Sequence, residues 1–234
     1  SLAADIPEVR TLDINPLLVD SKGILALDAR VAVAPSRILH KGRGHPRFSV
    51  FPYPKEWERT IELSDGGRAF VRPVRPEDDA LFRAFFARVS DEDLRLRFFQ
   101  SVKHFSHEFI ARLTQLDYAR SIALVAIEPR SGEMLGAVRL HADADYHRGE
   151  YGILIRSDLK GHGIGWRLMA IMIEYAKWLG LDVVEGQVLR ENSTMLAMCQ
   201  SLGFKTRLDP DDPTVMVVTL PVQQVEVPDV PPVA

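Results

Sequence analysis

Two hydrophobic periods take turns along this chain, and the places where one gives way to the other mark out its elements. Residues 60–63 and 69–74 read as strands around the turn-forming Ser64-Asp65-Gly66-Gly67. Pro76 then opens a helical segment with Leu81, Phe85 and Val89 on one face. Residues 91–99 predict a second short helix with Leu94 and Phe98 inward, and residues 106–116 a third with Ser106 as its N-cap. Strands follow at 122–128 and 133–141, turned at Pro129-Arg130-Ser131-Gly132, and a further strand is expected at 151–156. A long helix comes next, with Leu168, Ile171, Met172, Tyr175 and Leu179 on one face and Gly180 ending it. The pattern closes with a strand at 183–189, a helix at 193–202 ended by Gly203, and strands at 205–208 and 215–220. Helices cluster early, strands run together in the middle, and a strand-helix-strand-helix-strand unit finishes the chain. This is the order of an α/β fold with a mixed central sheet flanked by helices.

The ends behave differently. Residues 11–19 and 24–33 predict a β-hairpin turned at Asp20-Ser21-Lys22-Gly23, which is marginal unless it docks on something larger. Residues 34–58, rich in Pro, Gly and basic side chains, read as a linker, and 222–234 as a disordered Pro/Val-rich tail. No internal repeat is present.

Composition narrows the function classes. Of 234 residues 46% are hydrophobic, enough for a real core, and the formal net charge of -3 offers no general attraction for nucleic acid or an anionic membrane. Cys199 is the only cysteine, which excludes an internal disulfide and any cysteine-based zinc finger. No apolar run approaches the roughly 20 residues of a membrane span, and no signal-peptide pattern opens the chain, so a cytoplasmic location is expected. Asn192-Ser193-Thr194 is then a chance match to a glycosylation acceptor. His104 and His107 stand three apart, but no second pair or acidic partner accompanies them, and no metal is expected.

The stretch Lys160-Gly161-His162-Gly163-Ile164-Gly165 lies between a strand and the long helix. A helix start carries N–H groups without intrahelical acceptors and partial positive charge, so it attracts anions. Glycines let a phosphate approach those N–H groups and permit φ > 0, while Lys160 and Arg167 add charge nearby. On the glycines alone, a mere strand-to-helix turn is the favoured reading.

With its neighbours the loop resembles a known family. The loop and helix, the strand at 183–188, Asn192, Cys199 and Leu202-Gly203-Phe204 are similar to the Gcn5-related N-acetyltransferases (GNAT), over roughly residues 60–220. That family's pyrophosphate signature is Gln/Arg-x-x-Gly-x-Gly/Ala, matched here by Lys160, Gly163 and Gly165, with Lys a departure. The resemblance implies a mostly antiparallel GNAT sheet at 59–221 and acetyl-CoA as co-substrate. It implies pyrophosphate on the backbone of His162, Gly163, Ile164, Gly165 and Trp166, and pantetheine pairing along Ile153, Leu154 and Ile155. Oxyanion donors are expected near Leu154 and Ile155, and a pantetheine contact at Asn192, although Ser193 as a helix N-cap explains that segment equally well. Cys199 stands where the family usually has the Tyr that protonates the departing thiolate.

A second resemblance covers residues 1–33. Asp13-Ile14-Asn15-Pro16-Leu17-Leu18-Val19 and Ala26-Leu27-Asp28-Ala29-Arg30 look like the closing hairpin of the ATP-grasp module of NDP-forming acyl-CoA synthetases. There the Asn and Asp hold Mg²⁺, roles that would fall on Asn15 and Asp28 but lack the rest of a nucleotide site here. The combination resembles bacterial Pat-type protein acetyltransferases, which modify lysines of acyl-CoA synthetases. It implies a protein acceptor, with Glu150 as general base. The alternatives are acetylation of a small amine or amino-terminus, and a non-catalytic acyl-CoA sensor.

Overall fold

A computed structural model describes residues 6, 8–21, 23–35, 51–101 and 104–226. The chain forms two compact units, Ser1–Pro52 and Tyr53–Ala234.

In the first unit the expected hairpin is cut into four short strands: β1 (Val9–Ile14), β2 (Leu17–Asp20), β3 (Gly23–Ala26) and β4 (Ala29–Val33). β1 pairs with β4 and β2 with β3, both antiparallel. Pro16 causes the break because it has no N–H to offer the ladder. The register survives through Asn15 N–H to the Asp28 carbonyl (3.1 Å) and Leu27 N–H to the Pro16 carbonyl (3.1 Å). Leu18, Val19, Ile24 and Leu25 are all exposed, so both faces are apolar and uncovered. Asp28 pairs with Arg30 at 3.3 Å.

The second unit is built on β5 (Arg59–Glu62), β6 (Arg68–Pro73), β7 (Ser121–Ile127), β8 (Met134–Ala142), β9 (Arg148–Ile155), β10 (Val183–Leu189), β11 (Lys205–Leu208) and β12 (Val215–Pro221). They form one sheet in the order β11-β12-β10-β9-β8-β7-β6-β5. Every neighbouring pair is antiparallel except β9 and β10, as the mixed, mostly antiparallel expectation requires. On one face lie α1 (Asp79–Phe86), α2 (Asp91–Phe98) and α3 (His107–Thr114); the other carries α4 (Ile164–Leu179), with α5 (Ser193–Ser201) beside it.

Local signals account for most helix ends. Ser106 accepts from Phe109 N–H and Ser90 from Asp93 N–H, each satisfying a donor that the first turn cannot. Gly180 takes φ 84° after α4, a conformation that costs glycine little. Before α1, Pro76–Asp78 form a turn of 3-10 helix rather than α-helix. The inward face of α1 is Phe82, Phe85 and Phe86, with Val89 beyond the helix, and Leu81 only half-buried. Tertiary packing chose the three phenylalanines because α1 meets α3 as well as the sheet.

Two expected boundaries move. Residues 53–58, assigned to the linker, belong to the second compact unit. Trp57 is 5% exposed and meets Tyr175 of α4 edge-on, with ring centroids 5.0 Å apart. At the other end the tail was expected to start at 222, yet Val222 is fully buried and its N–H reaches the Asp182 carbonyl (3.0 Å), while Lys177 holds the carbonyl of Val225. Residues 227–234 lie outside the described residues.

Candidate active site

β9 begins at Arg148, so Glu150 lies within the strand rather than just before it. Its parallel pairing with β10 covers only Arg148, Gly149 and Glu150, opposite Val183, Val184 and Glu185. Beyond that pair β10 turns wholly to β12, while β9 continues along β8 as far as Ile155. The sheet therefore splays into a wedge with Glu150 and Glu185 at its apex.

The free edge can be read residue by residue. The antiparallel register between β8 and β9 runs unbroken from Ala142↔Gly149 to Gly136↔Ile155. At its ends Asp143 N–H bonds the Arg148 carbonyl (2.8 Å) and Arg156 N–H bonds the Leu135 carbonyl (2.9 Å). Hydrogen-bonded pairs alternate in such a ladder, so Gly152 and Leu154 face β8 with their N–H groups, and Ile153 and Ile155 face the wedge. Of the two donors expected for an oxyanion, Ile155 has its N–H on the open side and Leu154 is turned away; the other N–H on the open side is that of Ile153. A strand edge of this kind accepts an extended ligand by pairing with it.

Side chains alternate across the sheet. Tyr151, Ile153 and Ile155 pack toward α4, whereas Gly152 and Leu154 face α1, α2 and α3. Glu150 shares the second face and is exposed. Across β8, His141 stands opposite Glu150, its Nδ1 2.6 Å from Ser121 Oγ. Arg139 stands opposite Gly152. Arg97 of α2 lies over that glycine: a Cβ there would sit 2.0 Å from the Arg97 guanidinium. Burial pushes both arginines below their ordinary pKa, and the Glu150 carboxylate pulls each back.

On the α4 side lies the glycine loop that was expected to cradle a pyrophosphate. Gly161 and Gly163 take φ of 83° and 81°, and Gly163 caps α4 with no side-chain bond. The first intrahelical bond runs from Arg167 N–H to the Gly163 carbonyl (3.1 Å). The N–H groups of Ile164 and Gly165 precede it, and no acidic residue occupies the first turn. Ile164 and Trp166 bury their side chains, leaving only backbone for a ligand. His162 turns its Nδ1 to the Lys160 carbonyl, and its own carbonyl accepts from Ser64 N–H. Lys160 does not stand free over the cradle, because Asp93 of α2 holds its ammonium, with Ser157 Oγ on the same carboxylate. Arg167, in the first turn, has no acid partner among the described residues.

Asn192 caps α5 itself, its Oδ1 accepting from Met195 N–H (3.1 Å), so Ser193 is not the cap. Cys199 is fully buried, with its Sγ 3.1 Å from the Tyr151 hydroxyl. Burial pushes the thiol up to about 11 and the phenol well above its ordinary value. At neutral pH both are protonated, and Cys199 packs rather than attacks. Among the described residues no three His, Cys, Asp or Glu side chains gather as metal ligands; His107 lies 3.3 Å from Asp79 instead. No helix among them is long and apolar enough to cross a membrane.

A free strand edge beside an uncapped, glycine-led helix start suits an extended thioester ending in a pyrophosphate, and comparison with known proteins gives this arrangement its class: an acyltransferase. Residues 68–205 match the acetyltransferase (GNAT) domain family, and the chain belongs to that family. Residues 1–33 match the ATP-grasp domain. Acetyltransferase PA5475 of Pseudomonas aeruginosa is 31% identical over 157 residues, covering 66% of this chain and 84% of that protein. Acetyltransferase Pat of Mycolicibacterium smegmatis is 27% identical over 144 residues, 61% of this chain and 43% of that protein. The crystal structure of the GNAT domain of S. lividans PAT superposes with a TM-score of 0.67 at 26% identity, covering 72% of this chain and all but 1% of that one, 99%.

Arg97, Arg139 and His141 stand beside Glu150 on its face of the sheet, Tyr151 packs against Cys199, and sequence reasoning singled out none of the four. One signal was available: Arg139 interrupts the apolar run of β8 between buried Val138 and Leu140. Arg97 gave none, since it and Arg95 look alike in a charged helix.

Proposed function

We propose that this chain transfers an acetyl group from acetyl-CoA to a lysine ε-amine of a protein, with an acyl-CoA synthetase as the target. The observation that carries the reading is the wedge with Glu150 at its apex, open to the cradle on one face and to solvent on the other. The relatives named Pat and PAT, together with the ATP-grasp match on the same chain, favour a protein acceptor of the synthetase class.

A lysine ammonium has a pKa of about 10.4, so the attacking amine must first lose a proton. Glu150 is exposed on the face opposite the cradle and accepts that proton directly or through a water. The amine then attacks the thioester carbon; a C–N bond forms, and the carbonyl oxygen takes negative charge. The N–H groups of Ile153 and Ile155 stabilise that charge on the open strand edge. The C–S bond breaks and coenzyme A leaves as a thiolate, tolerable without a general acid for a thiol of pKa about 8.5, and the second proton of the attacking nitrogen passes to that sulfur or to water, leaving the neutral amide. This suits a site whose usual Tyr is replaced by a buried Cys199. Asn192 offers its side-chain amide N–H to the pantetheine arm, its oxygen being occupied by the helix cap. The cradle's backbone holds the pyrophosphate, while Lys160 braces the loop against α2.

Incubation of the chain with acetyl-CoA and acyl-CoA synthetases, followed by mass spectrometry, is expected to show acetylated lysines. Tight binding of acetyl-CoA without any modified protein or small amine would establish a sensor instead. Gly163→Val is expected to weaken acetyl-CoA binding by about 5- to 30-fold by calorimetry. A side chain at this left-handed position costs about 1–2 kcal/mol, which the relaxed loop must recover on binding. Unchanged affinity would remove the cradle from the coenzyme A site.

A further inference from the structure

The face of the sheet that bears Glu150 holds a cavity of about 50 Å³, lined by Phe82, Phe86, Phe98, Leu154, Arg97 and Arg139 among others. Its walls are apolar, yet two guanidinium groups reach it. Arg97 forms no hydrogen bond or ion pair among the described residues; its guanidinium lies over the ring of Phe98, whose centroid is 5.2 Å from Cζ. Arg139 donates one long bond, 3.4 Å, to the Arg112 carbonyl. The position of Arg97 is built in. Its guanidinium occupies the space of a side chain at residue 152, and only glycine there leaves room.

Charge in this place is out of balance. The acid that bears on both arginines is Glu150, so two cations share one anion beside phenylalanine rings. Both side chains are half-buried, and drawing a guanidinium further from water is costly unless an anion compensates it. The imbalance grows during the proposed reaction, because Glu150 loses its charge on taking the proton from the amine. An anion supplied by a ligand would restore neutrality at that moment. A planar fork of N–H donors matches a carboxylate, and a cavity of this size with aromatic walls takes that group on a short alkyl stem rather than a phosphate with its shell of water.

We propose that Arg97, with Arg139, binds a carboxylate carried by one of the two substrates, either the free end of a dicarboxylic acyl group on coenzyme A or an acidic side chain beside the acceptor lysine. The inference rests on the acyl-transfer reading of the site and names the chemistry of its substrate.

Two comparisons on the full chain separate the sources. Calorimetric binding of succinyl-CoA against butyryl-CoA reports on the donor; kcat/KM for lysine peptides flanked by Glu against Gln reports on the acceptor. In the natural protein one of these ratios is expected to favour the carboxylate by about 10- to 100-fold, the range of a charge-assisted hydrogen bond. Arg97→Met is expected to bring that ratio to near unity, and Arg97→Lys to retain part of it. Each readout is a ratio within one protein, so a loss of folded material cancels. If Arg97→Met does not fold, Gly152→Ala, which displaces the guanidinium while keeping its charge, is expected to reduce the same ratio. Ratios near unity in both arms of the natural protein, or a preference that survives both substitutions, overturn the proposal. Failure to bind any acyl-CoA would instead overturn the acyl-transfer reading beneath it.

Discussion

Glu150→Gln is expected to lower kcat for lysine acetylation by about 10²- to 10⁴-fold, the usual contribution of a general base, while leaving acetyl-CoA affinity within about twofold. The substitution keeps the shape of the side chain and removes its ability to take a proton. The helix start and the strand edge that would hold acetyl-CoA are backbone features, the first of them on the other face of the sheet from this carboxylate. Loss of kcat with unchanged donor binding is therefore the signature of the proposed role. Raising the pH should partly rescue the variant, because free amine becomes more abundant as pH climbs toward the lysine pKa of about 10.4. Single-turnover kinetics from pH 7 to 10 would measure both effects. A Glu150→Gln variant with natural kcat at pH 7 would return Glu150 to an ordinary surface carboxylate, and His141, directly across the strand pair, would become the group to test.

Asp78→Ala should be the most damaging single change to stability, by about 3–5 kcal/mol, the range for stripping one partner from a buried ion pair. Asp78 receives both terminal nitrogens of Arg72 at 2.7 Å and the N–H of Arg75 at 2.7 Å, and the Arg72 and Asp78 side chains are 10% and 8% exposed. Removing the carboxylate leaves the Arg72 guanidinium with only the Pro73 carbonyl and no anion, and strands a backbone donor, at the junction between β6 and α1. That junction orients the helix whose phenylalanines line the cavity over β9. Urea unfolding at pH 7 measures the loss, and a cost below about 1 kcal/mol would place the pair with ordinary surface bridges. Replacing both partners, Arg72→Met with Asp78→Leu, should recover most of the stability, because a fitting apolar pair leaves no charge stranded.

Much of the architecture was legible because its signals are local. The short apolar runs of β7 and β8, the apolar face of α4, the Ser106 cap and the left-handed Gly180 each depend on a few neighbouring residues. The glycine loop was legible for the same reason, since an uncapped helix start after two left-handed glycines is a property of six consecutive residues. Misreadings arose where distant segments compete for one residue. Trp57 sits among linker-like prolines and basic residues, and only the ring of Tyr175 on α4 makes it core. Asn192 and Ser193 are both good caps, and the backbone geometry of the preceding turn selected Asn192.

The sequence by itself determined the order and type of the elements of the sheet, the glycine-led start of α4, the absence of a tyrosine at position 199, and the family to which these belong. Tertiary structure alone decided that β9 and β10 part company after Glu150, which leaves Ile153 and Ile155 with open N–H groups. It also decided that Lys160 is spent on Asp93, 67 residues away, and that Arg97 rests on Gly152. The physical reason is range. Dihedral preferences and hydrophobic period act over a turn or a pleat, whereas strand register, ion pairing and desolvation depend on which remote segments the folded core brings into contact.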